Sequence, residues 1–329
     1  SEVTAGFMWQ KTTRESKKYQ LRGEILSFIP VEKNVEVMLV TITNTGRMAQ
    51  TVTPTAAIPL YGRSADNIRD HRHVTSLLHR IETTDTGVLV TPTLSFDERG
   101  HQVNHMTYYC VGWSGNGEKP VDFYPTAEDF VGEGGNFERP YAIVKNAEGV
   151  KAGTRIEGLE AVGGLHFSEV TLEPEEECSY LIFTGITEDI QEIRNLSKTY
   201  TTREMVLEEL EKTKAYWQEK VNVAYHTGDS DFNQFMHWVS FQPILRRIYG
   251  CSFLPHHDYG KGGRGWRDLW QDCLALLIMN PDGVRQMMLD NFAGVRVDGS
   301  NATIIGSKQG EFVADRNHIT RVWMDHGVW

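Results

Sequence analysis

The spacing of apolar residues changes once along this chain, near residue 188, and this change restricts the fold more than any other feature. Before it, short apolar and β-branched runs are separated by Gly, Pro, Asn and Asp; the runs cover 20–26, 35–43, 50–60, 87–94, 106–113, 163–172 and 178–184. Many strands without helical patterns between them are typical of an antiparallel sandwich. Residues 1–187 are therefore predicted to form a β-sandwich domain.

Helical spacing follows this region. Thr201 and Glu204 fit a capping box, in which the Thr201 oxygen accepts a hydrogen bond from the third helical amide. The helix behind the box is predicted to bury one face, formed by Val206, Leu210, Thr213, Trp217 and Val221. This helix would connect the sandwich to whatever follows.

Three more helices are predicted, over 229–249, 267–280 and 282–294. The first has an apolar face of Phe232, Phe235, Met236 and Val239, and Pro243 is expected to break or kink it. The chain is thus predicted to be a multidomain β + α protein, with a helical linker over 188–226 and the opening helices of an all-α domain over 227–329. Both ends resemble mid-domain sequence, so we expect a segment of a longer polypeptide.

Charge and cysteine usage restrict the class of protein. The formal net charge is −11, which argues against a nucleic-acid partner because such proteins usually carry a basic face. No apolar stretch approaches the roughly 20 residues that span a bilayer, and the N-terminus lacks a signal-peptide pattern, so no membrane partner is expected. Four scattered cysteines without a Cys-x-x-Cys pair are typical of reduced thiols in a cytoplasmic protein.

The segment 263–272, GRGWRDLWQD, contains the densest group of chemically active side chains. If a helix begins near Trp266, then Asp268, Gln271 and Asp272 occupy one face of its first turns. Carboxylates beside tryptophans and a glycine-rich loop are suited to a sugar, which offers hydroxyl groups and C–H faces. The candidate binding residues here are Arg264, Trp266, Arg267, Asp268, Gln271 and Asp272. The plainer alternative is an acidic first turn, stabilised by the helix dipole, whose aspartates pair with Arg264 and Arg267.

A second cluster lies over 311–329 and contains Asp325 and His326. Asp325 is either a helix N-cap or a pocket residue that binds sugar hydroxyls, and in a stronger version it is a general acid. Spacing alone leaves these alternatives open. His256-His257-Asp258 lacks a metal-ligand spacing, and the segment GKGGRG lacks the order of a phosphate-binding loop, so neither a metal nor a nucleotide cofactor is predicted.

These motifs resemble the inverting disaccharide and oligosaccharide phosphorylases of glycoside hydrolase family 94. The R-D-x-x-Q-D signature corresponds to Arg267–Asp272 and W-x-D-H-x-x-W to 323–329. The stretch 311–329 departs from the cellobiose enzymes and is more similar to the 1,2-β-oligoglucan type. The resemblance implies an N-terminal antiparallel β-supersandwich, a helical linker and the start of an (α/α)6 barrel. It also implies no cofactor, inorganic phosphate as co-substrate and an oligosaccharide substrate, and it leaves a homodimer open.

Residue by residue, the resemblance implies that Arg267 and Asp268 hold a glucosyl unit. Arg264, Gln271 and Asp272 would support them, and Asp325 and His326 would line the same pocket. The family's general acid lies in a Trp-Asn-Asp motif that this sequence lacks, so the catalytic acid is expected after Trp329, with Asp325 as a fallback. The sequence departs from the family at Cys251, where a phosphate-contacting arginine is expected.

The predicted function is phosphorolysis of β-1,2-linked glucooligosaccharides, with inversion, to α-glucose 1-phosphate and a shortened chain. The alternatives are a cellobiose or other β-glucoside phosphorylase, an inverting glycoside hydrolase on the same scaffold, and a carbohydrate-binding sandwich with a helical appendage. An inverting hydrolase needs a second carboxylate as base for water, whereas a phosphorylase needs only the acid because phosphate is already anionic.

Overall fold

The computed structural model describes residues 1–62, 72–97, 100–249, 264–301, 304–305 and 312–313. The chain divides into two compact units, Ser1–Lys214 and Ala215–Trp329. None of the helices in the described part combines the length and apolar content needed to cross a bilayer.

The first unit is built mainly from antiparallel strands. In chain order these are β1 (Glu2–Gly6), β2 (Trp9–Ser16), β3 (Leu21–Phe28), β4 (Val35–Asn44), β5 (Gln50–Val52), β6 (Thr55–Leu60), β7 (His79–Thr83), β8 (Gly87–Pro92), β9 (Leu94–Asp97), β10 (Gly100–Val103), β11 (Thr107–Ser114), β12 (Asp122–Thr126), β13 (Arg155–Glu157), β14 (Ala161–His166), β15 (Val170–Leu172) and β16 (Glu177–Thr187). Its helices are α1 (Arg72–Ser76), α2 (Ala127–Val131), α3 (Tyr141–Lys145) and α4 (Ile190–Thr199), and α5 (Arg203–Lys220) runs past its end.

Nine strands form one large sheet in the order β1-β2-β3-β4-β16-β11-β8-β7-β13, and a second layer holds the sheet β12-β14-β6. The central strand β16 pairs with β4 on one side, with Leu181 opposite Leu39, and with β11 on the other. Because successive side chains of a strand point to opposite faces, a strand in the middle of this arrangement is buried on both sides.

The two faces of the large sheet carry separate cores. Leu181 and Phe183 of β16 pack in a cluster that includes residues of α4 and α5, whereas Tyr180 and Ile182 pack with residues of β6 and β14. Helices therefore cover one face of the sheet and strands cover the other. This burial on both faces explains why β16 is a continuous apolar run rather than an alternating one. The predicted N-terminal sandwich is confirmed.

Every predicted strand region contains strands, but the sequence patterns missed others. The runs 50–60 and 163–172 are each divided into two strands, and β1 and β2 were not predicted. β1 is exposed along most of its length because it lies at the edge of the large sheet. An exposed edge strand has no need for an apolar face, so its sequence carries little periodicity.

The predicted N-cap residue of α5, Thr201, was wrong by one position. α5 begins at Arg203, and the Thr202 hydroxyl oxygen accepts a 3.5 Å hydrogen bond from the Met205 amide. Thr201 instead contacts the Met205 sulfur at 3.1 Å. The predicted buried face of this helix is confirmed, since Val206, Leu210, Thr213, Trp217 and Val221 are all buried.

The second unit contains three further helices and a small sheet in its described part. The helices are α6 (Ser230–Tyr249), α7 (Trp266–Met279) and α8 (Val284–Phe292), and the strands are β17 (Arg264–Gly265), β18 (Ile304–Ile305) and β19 (Phe312–Val313). The first and last residues of each of these three helices lie within three residues of the predicted ones.

Two details of α6 differ from the prediction. The helix runs through Pro243 without a break, so the predicted break is wrong, and a kink there stays a prediction. Its predicted apolar face is not its buried one: Phe232, Phe235 and Val239 are exposed, while Phe241 and Ile244 are buried. In the described part of the unit, α6 packs through its second half, where Phe241 meets Trp217 with ring centroids 5.3 Å apart.

Candidate functional site

The start of α7 is the candidate site, and a glycine sets its geometry. Gly265 is the N-cap residue with an extended backbone (φ −63°, ψ 137°), and the helix begins at Trp266, where the sequence predicts it. A Cβ on residue 265 would overlap the Asp268 carboxylate, so only glycine lets that carboxylate lie against the cap. Asp268 lies in the first turn of the helix, where the helix dipole stabilises its negative charge.

Arg267 and Asp268 form a pair that faces solvent. An Arg267 guanidinium nitrogen lies 3.5 Å from an Asp268 carboxylate oxygen, and the two side chains are 47% and 42% exposed. Such an open ion pair contributes little to stability. It places a fixed donor group and an acceptor group side by side, which is an arrangement that can bind two hydroxyls of one sugar ring.

Asp272, four residues later, has a different environment. It is buried and receives two hydrogen bonds from Arg246 of α6, from Nε to Oδ2 at 2.8 Å and from Nη2 to Oδ1 at 2.5 Å. The expectation that both aspartates pair with arginines of the same segment is therefore wrong for Asp272. Burial raises the pKa of the Asp272 carboxyl; Arg246 opposes this and the negative charge of Asp268 adds to it.

The predicted polar face is consequently divided. Gln271 is exposed, Asp268 is half-buried and Asp272 is buried against α6. Helical spacing placed these three residues near one another, and it could not tell which of them lies against a neighbouring helix. Asp272 anchors the helix, whereas Asp268 and Gln271 remain accessible to a ligand.

The tryptophans of the segment lie inside the unit. Trp266 and Trp270 are 3% and 8% exposed, and their rings meet edge to face with centroids 5.8 Å apart. Trp270 also contacts Phe292 of α8 at 5.1 Å. Neither ring presents an open face for a sugar to stack on, so their visible role is to pack α7. The Trp266 indole nitrogen is buried and has no hydrogen-bond partner among the described residues.

Sequence reasoning missed two arginines of α6 that hold α7 in place. Arg246 binds Asp272 as above, and Arg247 donates to the Asn280 carbonyl at 3.2 Å and also to the Asp282 carbonyl. Arg247 thus satisfies the carbonyl of the α7 C-cap residue, Asn280, and one carbonyl of the turn that leads to α8. The only sequence signal was two adjacent arginines near the end of a predicted helix.

Several predicted residues are incompletely placed. The Arg264 backbone belongs to β17, which pairs with Ile305 of β18. Asp325, His326, Cys251, the histidine pair at 256–257 and the glycines at 260–263 all lie outside the described residues. Within the described part of the chain, no three His, Cys, Asp or Glu side chains are grouped as metal ligands.

Comparison with known proteins agrees with the sandwich of the first unit. The family model described as "Glycosyl hydrolase 94, supersandwich domain" matches residues 1–203. The chain is 27% identical over 203 residues to cyclic beta-(1,2)-glucan synthase NdvB of Rhizobium meliloti (strain 1021), covering 58% of this chain and 6% of that protein.

A second relative matches further along the chain. It is 3-O-beta-D-glucopyranosyl-beta-D-glucuronide phosphorylase of Paenibacillus borealis, 22% identical over 307 residues, covering 88% of this chain and 35% of that protein. The chain therefore spans about a third or less of these relatives. A bacterial glucoamylase solved with acarbose shares the fold over 93% of this chain and 42% of its own, with a TM-score of 0.50 and 11% identity.

Proposed function

Because the chain belongs to glycoside hydrolase family 94, whose supersandwich model matches residues 1–203, we propose that it is part of a glycoside phosphorylase. The protein would cleave β-1,2-linked glucooligosaccharides with inorganic phosphate, with inversion, to α-glucose 1-phosphate and a shortened chain. The name of the Paenibacillus borealis phosphorylase supports phosphorolysis. The name of the Rhizobium meliloti cyclic beta-(1,2)-glucan synthase supports β-1,2-glucan as the carbohydrate. The three free thiols in the described residues, Cys110, Cys178 and Cys273, are consistent with a cytoplasmic location.

The observation that carries the site assignment is the contrast between the two aspartates of α7. Asp272 is buried and its two oxygens are occupied by Arg246, so it is a structural anchor. Asp268 is half-exposed beside Arg267 at the helix start, so its oxygens are available to a ligand. We propose that Arg267 and Asp268 bind a glucosyl unit at the cleavage site, and that Gln271 and Arg264 lie at its edge, with Asp325 and His326 completing the pocket.

The exposed apolar faces of the helices support the proposal that this unit begins an (α/α)6 barrel, after a linker that contains α4 and α5. Phe235 and Trp238 of α6 are 61% and 50% exposed, and Leu274, Leu277 and Ile278 of α7 are also exposed. A helix with apolar residues on more than one side is typical of a helix packed between other helices. We propose that further helices of the same polypeptide cover these faces.

The chemistry follows from phosphate being an anionic nucleophile. Phosphate would attack the anomeric carbon from the face opposite the leaving sugar, while a general acid donates a proton to the glycosidic oxygen. The acid expected in the family's Trp-Asn-Asp motif is not in this sequence. Arg267 and Asp268 would orient the ring so that the anomeric carbon meets phosphate in line, a contribution that comes from positioning.

The reaction is tested by incubating the full-length protein with linear β-1,2-glucooligosaccharides, with and without inorganic phosphate. Glucose 1-phosphate that appears only with phosphate is the expected result. Glucose release without phosphate would make the protein a hydrolase, and binding without turnover would make it a carbohydrate-binding protein. Cellobiose and laminaribiose in parallel reactions test the linkage, and preference for either would refute β-1,2 specificity.

The site is tested by Asp268→Asn in the same protein, with Asp231→Asn as the matched control, because Asp231 is an exposed aspartate in the first turn of α6. Losing a charged hydrogen-bond acceptor of the sugar should weaken binding by roughly 2 kcal/mol or more, a loss of at least about thirtyfold. Glucose affinity that is unchanged in Asp268→Asn would refute the assignment, whatever the reaction type.

A further inference from the structure

A cleft in the first unit lies outside the segment assigned above. It measures 340 Å³, within the range of roughly 300–1,000 Å³ that small-molecule sites occupy. β12 forms one wall, α2 and the start of α3 form another, and the loop 147–150 closes the third side. The prominent side chain on its rim is Tyr141, which is 51% exposed.

The walls of this cleft are held by defined contacts. The Tyr124 hydroxyl donates to the Ala147 carbonyl at 2.7 Å, and Phe123 and Val150 exchange two backbone hydrogen bonds of 2.9 and 2.8 Å. A Cβ on Gly132 would lie 2.7 Å from the Tyr141 Cβ, so the Gly132 backbone packs closely against the base of the Tyr141 side chain. The cleft therefore exists before any ligand arrives, which lowers the entropic cost of binding.

The charged side chains in the described lining of the cleft are all acidic, and one of them, Asp129, accepts a hydrogen bond from the Thr126 hydroxyl. Glu128, Glu133 and Glu148 line it and are exposed, and none of the three carboxylates has a hydrogen bond or ion pair among the described residues. The described lining includes no lysine or arginine. A ligand here must offer hydrogen-bond donors without a negative charge, because a carboxylate or phosphate would be repelled.

A second cleft of 400 Å³ lies beside the first and shares Glu128, Gly132 and Glu133 with it. Its remaining lining comes from residues 76–77 and 158–160 and from α2 itself. A ligand that follows both clefts would pass over α2. Two adjoining clefts with a shared wall offer room for successive units of one extended chain.

We propose that this double cleft binds a neutral oligosaccharide, with the Tyr141 ring against a sugar C–H face and the three glutamates accepting hydroxyl hydrogen bonds. The aromatic ring is amphipathic and the carboxylates are free acceptors, which is the combination that a sugar ring satisfies. The choice of an oligosaccharide as occupant rests on the proposed function, whereas the position and charge of the cleft do not. The site would retain the glucan chain near the protein between successive reactions.

The test is isothermal titration of the full-length protein with a linear β-1,2-glucotetraose and, separately, with glucopyranosyl-glucuronide. The neutral tetrasaccharide should bind and the glucuronide should not. Tyr141→Ala should weaken tetrasaccharide binding at least tenfold, and Tyr141→Phe should stay within threefold because it keeps the ring. Replacing Glu128 and Glu133 by Gln should let the glucuronide bind, and this variant gives a second readout in case Tyr141→Ala misfolds.

Asp268→Asn separates this site from the proposed reaction site. Tetrasaccharide binding that survives Asp268→Asn but is lost in Tyr141→Ala supports the cleft, whether or not the full-length protein proves to be a phosphorylase. Binding lost only in Asp268→Asn overturns the cleft and leaves the proposed function standing. No tetrasaccharide binding, or binding of Ca²⁺ or a lysine-rich peptide in its place, also overturns it.

Discussion

Replacing Arg246 with methionine should destabilise the second unit strongly, because it leaves the buried Asp272 carboxylate without its partner. Asp272 is 7% exposed and Arg246 is 29% exposed, and two hydrogen bonds of 2.8 and 2.5 Å join them. Removing one member of a buried ion pair costs about 3–5 kcal/mol. Since Arg246 is partly exposed, we expect Arg246→Met to cost about 3 kcal/mol at neutral pH.

The double variant Arg246→Met/Asp272→Leu identifies the cause. It removes both charges and fills the space with apolar atoms, and such replacements are often neutral or stabilising. We expect it to be within about 1 kcal/mol of the native chain by this reasoning. Arg285→Met, an exposed arginine of α8, is the matched control and should change stability by less than about 0.5 kcal/mol.

The pH dependence of Arg246→Met has a definite sign. Burial already raises the pKa of Asp272 in the native chain, and losing Arg246 removes the main opposing influence. A carboxyl whose pKa is higher in the folded than in the unfolded state contributes stability at low pH that is lost as pH rises through the folded pKa. The cost of Arg246→Met should therefore be smaller at pH 4 than at pH 8.

The measurement is urea unfolding followed by tryptophan fluorescence, because Trp266 and Trp270 lie in the same unit as the pair. Parallel titrations at pH 4 and pH 8 give the pH dependence. A cost below about 1 kcal/mol for Arg246→Met would show that Asp272 is not desolvated as described. A double variant no more stable than the single one would show that lost packing, and not the unpaired charge, causes the defect.

Three further predictions concern the first unit. Thr202→Ala should lower the free energy of unfolding by about 1 kcal/mol, because it removes the N-cap of α5. Thr201→Ala should lower it by less than about 0.5 kcal/mol. Equal changes in melting temperature for the two variants would contradict the assignment of Thr202 as the cap. Gly87→Ala should prevent native folding, because the added Cβ would overlap the Cys110 carbonyl of the paired strand. Gly23→Ala is the control and should be tolerated, since nothing lies within 4 Å of a Cβ at that position. Circular dichroism spectra of the two variants test this prediction. Complete burial raises the pKa of the Cys110 thiol to about 12, so about one molecule in 10⁴ carries the thiolate at pH 8. Iodoacetamide should therefore label Cys110 only after the protein has unfolded. Rapid labelling of the native protein, detected by peptide mapping, would contradict this prediction.

Much of the β domain followed from local pattern. β4 and β16 were predictable because β-branched and apolar residues occur in short runs between turn residues, and Val35–Asn44 alternates between fully and partly buried positions. The edge strand β1 was not predictable in this way, since exposed residues carry no burial signal. The order of strands was also beyond the sequence: β16 lies between β4 and β11 although it follows them by many residues.

The three helices in the described part of the second unit after α5 were predictable in position, because apolar spacing and the Asn280-Pro281 turn signal are local features. The buried side of α6 was not predictable, because Phe232 and Phe235 carry the helical pattern of the sequence whereas the structure buries Phe241. An apolar residue at helical spacing is suited to burial, but the neighbour that covers it is chosen by the rest of the fold.

In the candidate site, too, some features followed from the sequence and others only from the tertiary structure. The sequence by itself determined that Arg267, Asp268 and Asp272 occur together at a predicted helix start, in a motif that resembles those of glycoside phosphorylases. Only the tertiary structure decided that Asp272 is an anchor held by Arg246 while Asp268 faces solvent. The physical reason is that helix periodicity is set by bonds between near neighbours, whereas the environment of a carboxylate depends on groups that are distant in sequence. Arg246 and Asp272 are 26 residues apart, and their pairing exists only after α6 and α7 have packed.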